Sequence, residues 1–284
     1  MATTTQLETN NAIGDLAKKM EKLDVAHPPP PPISYSNEEL EAMRQVRQNL
    51  IEVRKIDPSR IGLKTLALTT IVAKLRVDDA AKKYVTYLKA VDKCGVPSLR
   101  DDEVLNMSHA ALEERLNSYA ICGRDGEGRS IMWVKGQKEP YPEEIEAQVV
   151  KAAIMYHTAI HADAISLRNG ITFIVDTSNK PARKAKNDQK LQKTWQAMPM
   201  RPQAILIAGA SFPLRIIINT LIGVASLFTK QKVLDRIKFV SAADAFDSIP
   251  KESAPTYLGG EGGNIKDIVK WTKDRLDGFP VPIL

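Results

Sequence analysis

Several short stretches of this chain hold residues that could do chemistry, and each can be checked against the spacing that chemistry requires. Cys122 is followed by glycines and arginines, as in a phosphate-binding cysteine loop. That loop needs an arginine six positions after the cysteine, where this chain has Gly128. His157 and His161 are four apart, so a helix would place both imidazoles on one face, near Asp163, where they could hold a metal or haem. The glutamate that a zinc hydrolase sets between its histidines is missing, and a solvated surface pair is the simpler expectation. Gly209-Ala-Ser211 begins like a nucleophile elbow, but the closing position is Pro213. Gly259-Gly-Glu-Gly-Gly263 lacks the lysine of a phosphate loop. Asp176 ends an apolar run and is better placed to cap a loop than to act as a catalytic carboxylate. No catalytic set assembles, and the expectation is a protein without enzymatic activity, metal or cofactor.

Composition narrows the remaining classes. The chain has 284 residues, 43% apolar and 26% charged, with a net charge of +6. This is a globular composition with a mild attraction to anionic surfaces. Aromatics are only 6%, and no basic run interleaves with them, which argues against a nucleic-acid groove. Cys94 and Cys122 suit a reducing compartment, and the first residues do not read as a secretion signal. The longest uncharged stretch, from Ile216 to Thr229, is too short to span a bilayer and fits a buried or interfacial helix. The localisation expected is cytoplasmic, with peripheral attachment to membranes.

The elements that must position any site follow from periodicity. Residues 1–34 read as a tail carrying a stiff proline run from Pro28 to Pro32, a spacer or a ligand for a proline-recognising protein. Ser36-Asn-Glu-Glu39 is a capping box, followed by Leu40, Met43, Val46, Leu50 and Val53 at helical spacing. Further helices are expected over residues 63–75, 78–93 and 101–119, making residues 35–117 a helical lobe. From residue 118 the period changes. Strands are expected over residues 119–122, 131–134, 171–175, 204–208 and 237–240, the first two joined by the turn Gly123-Arg-Asp-Gly-Glu-Gly-Arg129. Helices over residues 142–169, 184–198 and 212–228 alternate with the later strands, which predicts a mixed, mostly parallel sheet.

This order of motifs resembles the CRAL-TRIO family of lipid-binding and lipid-transfer domains, including its yeast-type phosphatidylinositol/phosphatidylcholine exchangers. Four stretches carry the likeness: Leu75-Arg-Val-Asp-Asp-Ala-Ala81, the Gly123 to Arg129 turn, Ile174-Val-Asp176, and Ile249-Pro250 with Tyr257-Leu-Gly-Gly260. The resemblance implies a lipid-binding domain over residues 118–284. Its sheet would floor a hydrophobic pocket, under an apolar gate helix that falls on residues 212–230. The residues implied to line the pocket are Trp133, Ile171, Phe173, Val175, Ile205, Ile207, Phe212, Ile216, Leu221 and Ile222.

The physics of a carrier agrees with such an enclosure. Exposing a chain of about 16 carbons to water costs on the order of 10 kcal/mol. Residues 212–230 are apolar around most of a helix and must be covered on most sides, as a gate or as a plain core helix. The family's exchangers turn small hydroxyl residues of the strand at 171–175 towards the choline phosphate. Here those positions are Ile171 and Phe173, with Thr172 on the other face, which disfavours phosphatidylcholine. Of the inositol-phosphate site, Lys74 and Arg236 retain basic residues, Arg201 is a further head-group candidate, and the family's glutamate is replaced by Met200. The expectation is one hydrophobic ligand (phospholipid, sterol, isoprenoid or fatty acid), bound and transferred between membranes through transient contact with their surfaces. The alternatives are a lipid-sensing signalling or trafficking adaptor and, behind it, phosphoinositide transfer that regulates lipid metabolism.

Overall fold

The computed structural model describes residues 32–96, 119–135, 142–177, 194, 197–211, 235–240, 249–254, 260–261 and 268–284. The expected helix at 101–119, most of that at 184–198, the gate segment 212–230 and all but the last proline of the run lie outside these residues.

Helix α1 (Asn37–Gln48) starts where the capping box places it. Ser36 Oγ accepts from Glu39 N at 3.1 Å, and Glu39 Oε2 accepts from Ser36 N at 2.9 Å, an arrangement worth about 1 kcal/mol. Glu39 is buried and also binds Arg168 at 2.8 Å, so the cap ties the helical lobe to the sheet-bearing part. After a π turn (Asn49–Val53) come α2 (Leu63–Val72) and α3 (Val77–Lys93). The expected helix through residue 75 stops at Val72. Lys74 and Leu75 take positive φ, 57° and 59°, which turns the chain so that α3 packs back on α2. Burial overrides local propensity there: Leu75 packs against the cluster of Met43, Leu68 and Leu167.

The single helix expected at 142–169 is broken as well. It consists of α4 (Glu146–Ile160), an irregular step through Asp163, and α5 (Ala164–Asn169). Asp163 has extended dihedrals and its carboxylate accepts from Ile165 N and Ser166 N, so it caps α5 and stops α4 from continuing.

Five strands form one sheet in the order β1 (Tyr119–Arg124), β2 (Ser130–Lys135), β3 (Ile171–Asp176), β4 (Pro202–Ala208), β5 (Ile237–Val240). The β1–β2 pair is antiparallel and the rest are parallel, as the alternation of elements predicted. The β1–β2 turn is held by Asp125, whose carboxylate accepts from Glu127 N, Arg129 N, Arg129 Nε and Thr172 Oγ1. The glycine-rich motif is thus a structural lock. Gly260 of the closing motif lies against the Ala254 backbone, where any Cβ would collide.

A last helix, α6 (Ile268–Asp277), has no counterpart in the sequence reading. Its Val269 and Leu276 pack on α4 and the sheet, and Phe279 beyond it joins Ile33, Met43 and Leu68 of the helical lobe. Tyr35 Oη donates to Pro280 O at 2.8 Å, and Lys64 Nζ to Leu276 O at 2.7 Å. No helix among the described residues is long and apolar enough to cross a membrane.

Candidate functional site

Strand register sorts the candidate residues onto two faces of the sheet. Met132, Phe173, Ile205 and Ile237 lie in one row across the strands, and Val134, Val175, Ile207 and Phe239 in the next. With Ile171 they form one face. Trp133, Ile174 and Leu206 are in register on the other, with Ile131, Thr172, Asp176 and Ala208. Five of the candidates named from sequence therefore share a face: Ile171, Phe173, Val175, Ile205 and Ile207. Trp133 stands on the opposite one. The remaining four, Phe212, Ile216, Leu221 and Ile222, lie outside the described residues.

Burial differs between the faces. Trp133, Ile131, Ile174, Leu206 and Ala208 are closed off in a core with Ile249 and Ala254, each 4% exposed or less. On the face of Phe173, the end nearest β2 is equally closed. Met132 and Ile171 are fully buried against Ala152, Met155, Tyr156 and Ile160 of α4 and Val269 and Leu276 of α6. Beyond that end, Phe173, Val175, Ile205, Ile237 and Phe239 are only half-buried, while Ile207, in register between Val175 and Phe239, is buried. An apolar, half-buried area on a sheet face is a surface that an apolar ligand can pack against. Sequence reasoning missed Met132, Val134, Ile237 and Phe239 on this face; period-2 alternation within β2 and β5 is the signal that marks them.

Thr172 faces away, and its hydroxyl is committed to Asp125 at 2.6 Å. This face thus presents no hydroxyl from β3, as expected from Ile171 and Phe173.

Two of the three cationic candidates come together. Arg201 precedes β4 and Arg236 precedes β5, so both sit at the edge where these parallel strands begin. Arg201 Nη1 donates to Arg168 O and Arg236 Nη1 donates to Pro202 O at 2.6 Å. No carboxylate among the described residues pairs with either. Burial, and then the neighbouring Arg236 charge, lowers the Arg201 pKa, a sign of mutual repulsion between the guanidiniums. Lys74 lies apart from them in sequence, exposed in the α2–α3 turn with φ of 57°. Met200, where the family has glutamate, lines a small cleft with Tyr87, Ile154 and His157.

The histidine pair is not on the surface. His157 and His161 are 2% and 0% exposed, and His161 Nδ1 is hydrogen-bonded to His157 O at 2.8 Å. The expected surface pair is corrected to a buried one, because α4 is covered on both sides by the helical lobe and the sheet. Burial pushes the His161 pKa down to about 4. Asp163 beside it is taken up by Arg275 at 2.8 Å, Arg124 at 3.3 Å and Ser130 Oγ at 2.9 Å. No group of three potential ligands among the described residues is placed to hold a metal. Asp176 is buried at the end of β3.

A further spacing, from Cys94 to Arg100, does have the five intervening residues of a phosphate loop. Cys94, however, ends α3, and its buried thiol lies 3.1 Å from Thr194 Oγ1. A reactive thiolate needs a helix N-terminus or an adjacent cation, and a helix C-terminus supplies the opposite field.

A sequence model described as the CRAL/TRIO domain matches residues 114–260. The chain is also 28% identical, over 185 residues, to the proteins named tyrosine-protein phosphatase non-receptor type 9 in Mus musculus, Rattus norvegicus and Homo sapiens. The shared stretch is 60% of this chain and spans about 30% of each of those relatives.

Proposed function

This chain belongs to the CRAL/TRIO domain family, which binds or transfers lipophilic ligands, and from that premise we propose that it carries one hydrophobic molecule without altering it chemically. The observation that supports this most is the half-covered apolar area of Phe173, Val175, Ile205, Ile237 and Phe239, set beside a closed core on the reverse of the same strands. Fully burying one large apolar side chain is worth about 1.5–3 kcal/mol, and an inner-strand residue left half-exposed forgoes part of that. An acyl chain, isoprenoid or sterol laid over this area recovers it. With Ile171 and Phe173 on this face and Thr172 turned away, a buried choline phosphate over β3 finds no hydroxyl partner there.

Arg201 and Arg236 are proposed to receive an anionic head group at the strand-start edge. Two half-buried guanidiniums with no carboxylate partner among the described residues offer N–H donors in the planar geometry that phosphate or carboxylate accepts. The loss of the family's acid at Met200 takes away one internal counter-charge. Localisation in the cytoplasm, brief contact with anionic membranes and a protein partner for the proline run are part of the same proposal.

The stretch shared with the relatives named as phosphatases spans about 30% of their length, and phosphatase activity is not part of this proposal. The test is to purify the full chain and identify what it holds by native mass spectrometry, then to follow lipid exchange between vesicles. One stoichiometric hydrophobic ligand and measurable exchange are expected; a ligand-free protein that moves no lipid sinks the reading. Removing residues 1–31 separates carrier from adaptor: exchange should persist without them, and its loss would favour the adaptor.

A further inference from the structure

Trp271 lies in α6, outside the stretch matched by the family, yet it reaches the same apolar cluster as the candidate face. Like Val134 and Phe173, it is a half-buried residue packed against the closed cluster formed by Met132, Met155, Tyr156, Ile171 and Leu276. These residues stand where the closed end of the face gives way to the half-buried one. We infer that Trp271, together with Phe173, is the end wall of the ligand space and sets how long a chain the protein accepts. The inference rests on the carrier reading above, and adds to it a specificity-determining residue contributed by the C-terminal helix.

A wall discriminates only if it does not yield, and Trp271 is held by two ring contacts. The Tyr156 ring, fully buried on α4, lies 6.1 Å away at 37°. The Arg275 guanidinium stands over the indole, 4.8 Å from its centroid. Arg275 is itself fixed: Nε donates to Ala159 O at 2.7 Å, and Nη2 to Asp163 Oδ2 at 2.8 Å. Asp163 is completely buried and anchored to the α5 backbone and to Ser130. A buried ion pair contributes little net stability compared with apolar packing, but it fixes geometry, because any shift strands a charge. Here the geometry it fixes is the placement of α6 against α4, and through the tilted Tyr156 contact and the Arg275 guanidinium the position of the indole.

Phe173 supplies the matching half from the sheet. Beyond these two side chains towards β5, the half-buried residues are aliphatic apart from Phe239. Without Trp271 the space extends towards α6 and longer chains fit.

The experiment uses the full chain loaded from vesicles that contain phospholipids and free fatty acids in a graded series of acyl lengths, with bound species read by native mass spectrometry. Trp271→Ala should shift selection towards longer chains by roughly tenfold, the lower end of what one methylene is worth in a fitted pocket. Trp271→Phe should stay close to the parent protein. If Trp271→Ala does not fold, Phe173→Ala reads the wall from the sheet side and should shift selection the same way. Folded Trp271→Ala and Phe173→Ala proteins with unchanged chain-length selection overturn the inference while leaving the carrier reading intact. A parent protein that loads no chain of any length overturns both. As an independent readout, with Trp133 and Trp195 replaced by phenylalanine, Trp271 fluorescence should be quenched by lipids brominated at the chain end and not by those brominated beside the head group. The reverse pattern contradicts the wall.

Discussion

Ile174 and Val175 are neighbours on β3, and Leu206 and Ile205 neighbours on β4, all four aliphatic. Their alternate orientation takes them to different surroundings: Ile174 and Leu206 into a sealed core with Trp133, Val175 and Ile205 onto a face that is buried at Met132, Ile171 and Ile207 and half-buried at these two residues. What separates them is the supply of covering elements, since hydrophobicity is the same on both sides. On one face Ile249 and Ala254 complete the packing; on the other, α4 and α6 close over Met132 and Ile171 and go no further among the described residues. Apolar character thus reports which residues want to be buried, and coverage reports which are satisfied.

The strongest way to break this comparison is to put a charge on each face. Ile174→Asp should destabilise the fold by about 4 kcal/mol or more, because an unpaired carboxylate is trapped in a closed core. Val175→Asp should leave a folded protein that fails to load lipid. Thermal unfolding and lipid loading, measured on both variants, decide the matter: equal destabilisation would mean that the two faces are equally sealed.

Acid tests the closed end of the candidate face. His161 has its pKa depressed from 6.5 to about 4 by burial, so the unfolded chain takes up a proton that the folded one refuses. The stability tied to this group is complete above pH 6.5, falls with pH through that window, and is lost by about pH 4, a cost of about 3 kcal/mol. The Asp163 carboxyl is also held below its ordinary value; burial alone would raise it, and the Ser166 hydrogen bonds with the Arg124 and Arg275 charges more than offset that. Its contribution is present above pH 4 and is lost as pH falls further, with the same sign. Urea unfolding at several pH values should show this slope, and His161→Leu should flatten it between pH 6.5 and 4. An unchanged slope in that variant would place the acid sensitivity elsewhere.

A milder pair of truncations sharpens the same contrast. Leu206→Ala should cost about 2–4 kcal/mol through the cavity it leaves, and Ile205→Ala about 1 kcal/mol, since its side chain is only half-buried. Matched losses in denaturant midpoint would count against an open face. The smallest effect on stability is expected at Arg236→Gln, within about 0.5 kcal/mol of the parent. Its effect should fall on transfer of anionic lipids, with weaker salt dependence and little change for uncharged ones.

Much of the architecture is legible in the sequence because it depends on local rules. The capping box at Ser36, the turn at Asp125 and the five strands with their mostly parallel pairing all follow from turn chemistry and periodicity over a few residues. The misreadings share a different cause. The helix expected through Leu75 and the one expected across Asp163 both have unbroken local patterns; each is interrupted because a distant surface claims the residue. Leu75 is drawn into the cluster with Met43 and Leu167, and Asp163 into the pair with Arg275, 112 positions away in sequence. The histidines at 157 and 161 look like a surface pair for the same reason, because the second layer over α4 comes from the other lobe.

By itself, then, the sequence determined the α/β class, the positions of the strands along the chain, the absence of β3 hydroxyls on the face of Phe173 and the family motifs, since each depends on residue type and short-range spacing. Tertiary structure alone decided that Trp133 stands opposite the other described pocket candidates, that Arg201 and Arg236 meet with no counter-charge among the described residues, and that Trp271 of the last helix packs against the apolar cluster of the candidate face. Those are properties of register and of contacts between segments far apart in the chain, which a local pattern does not encode.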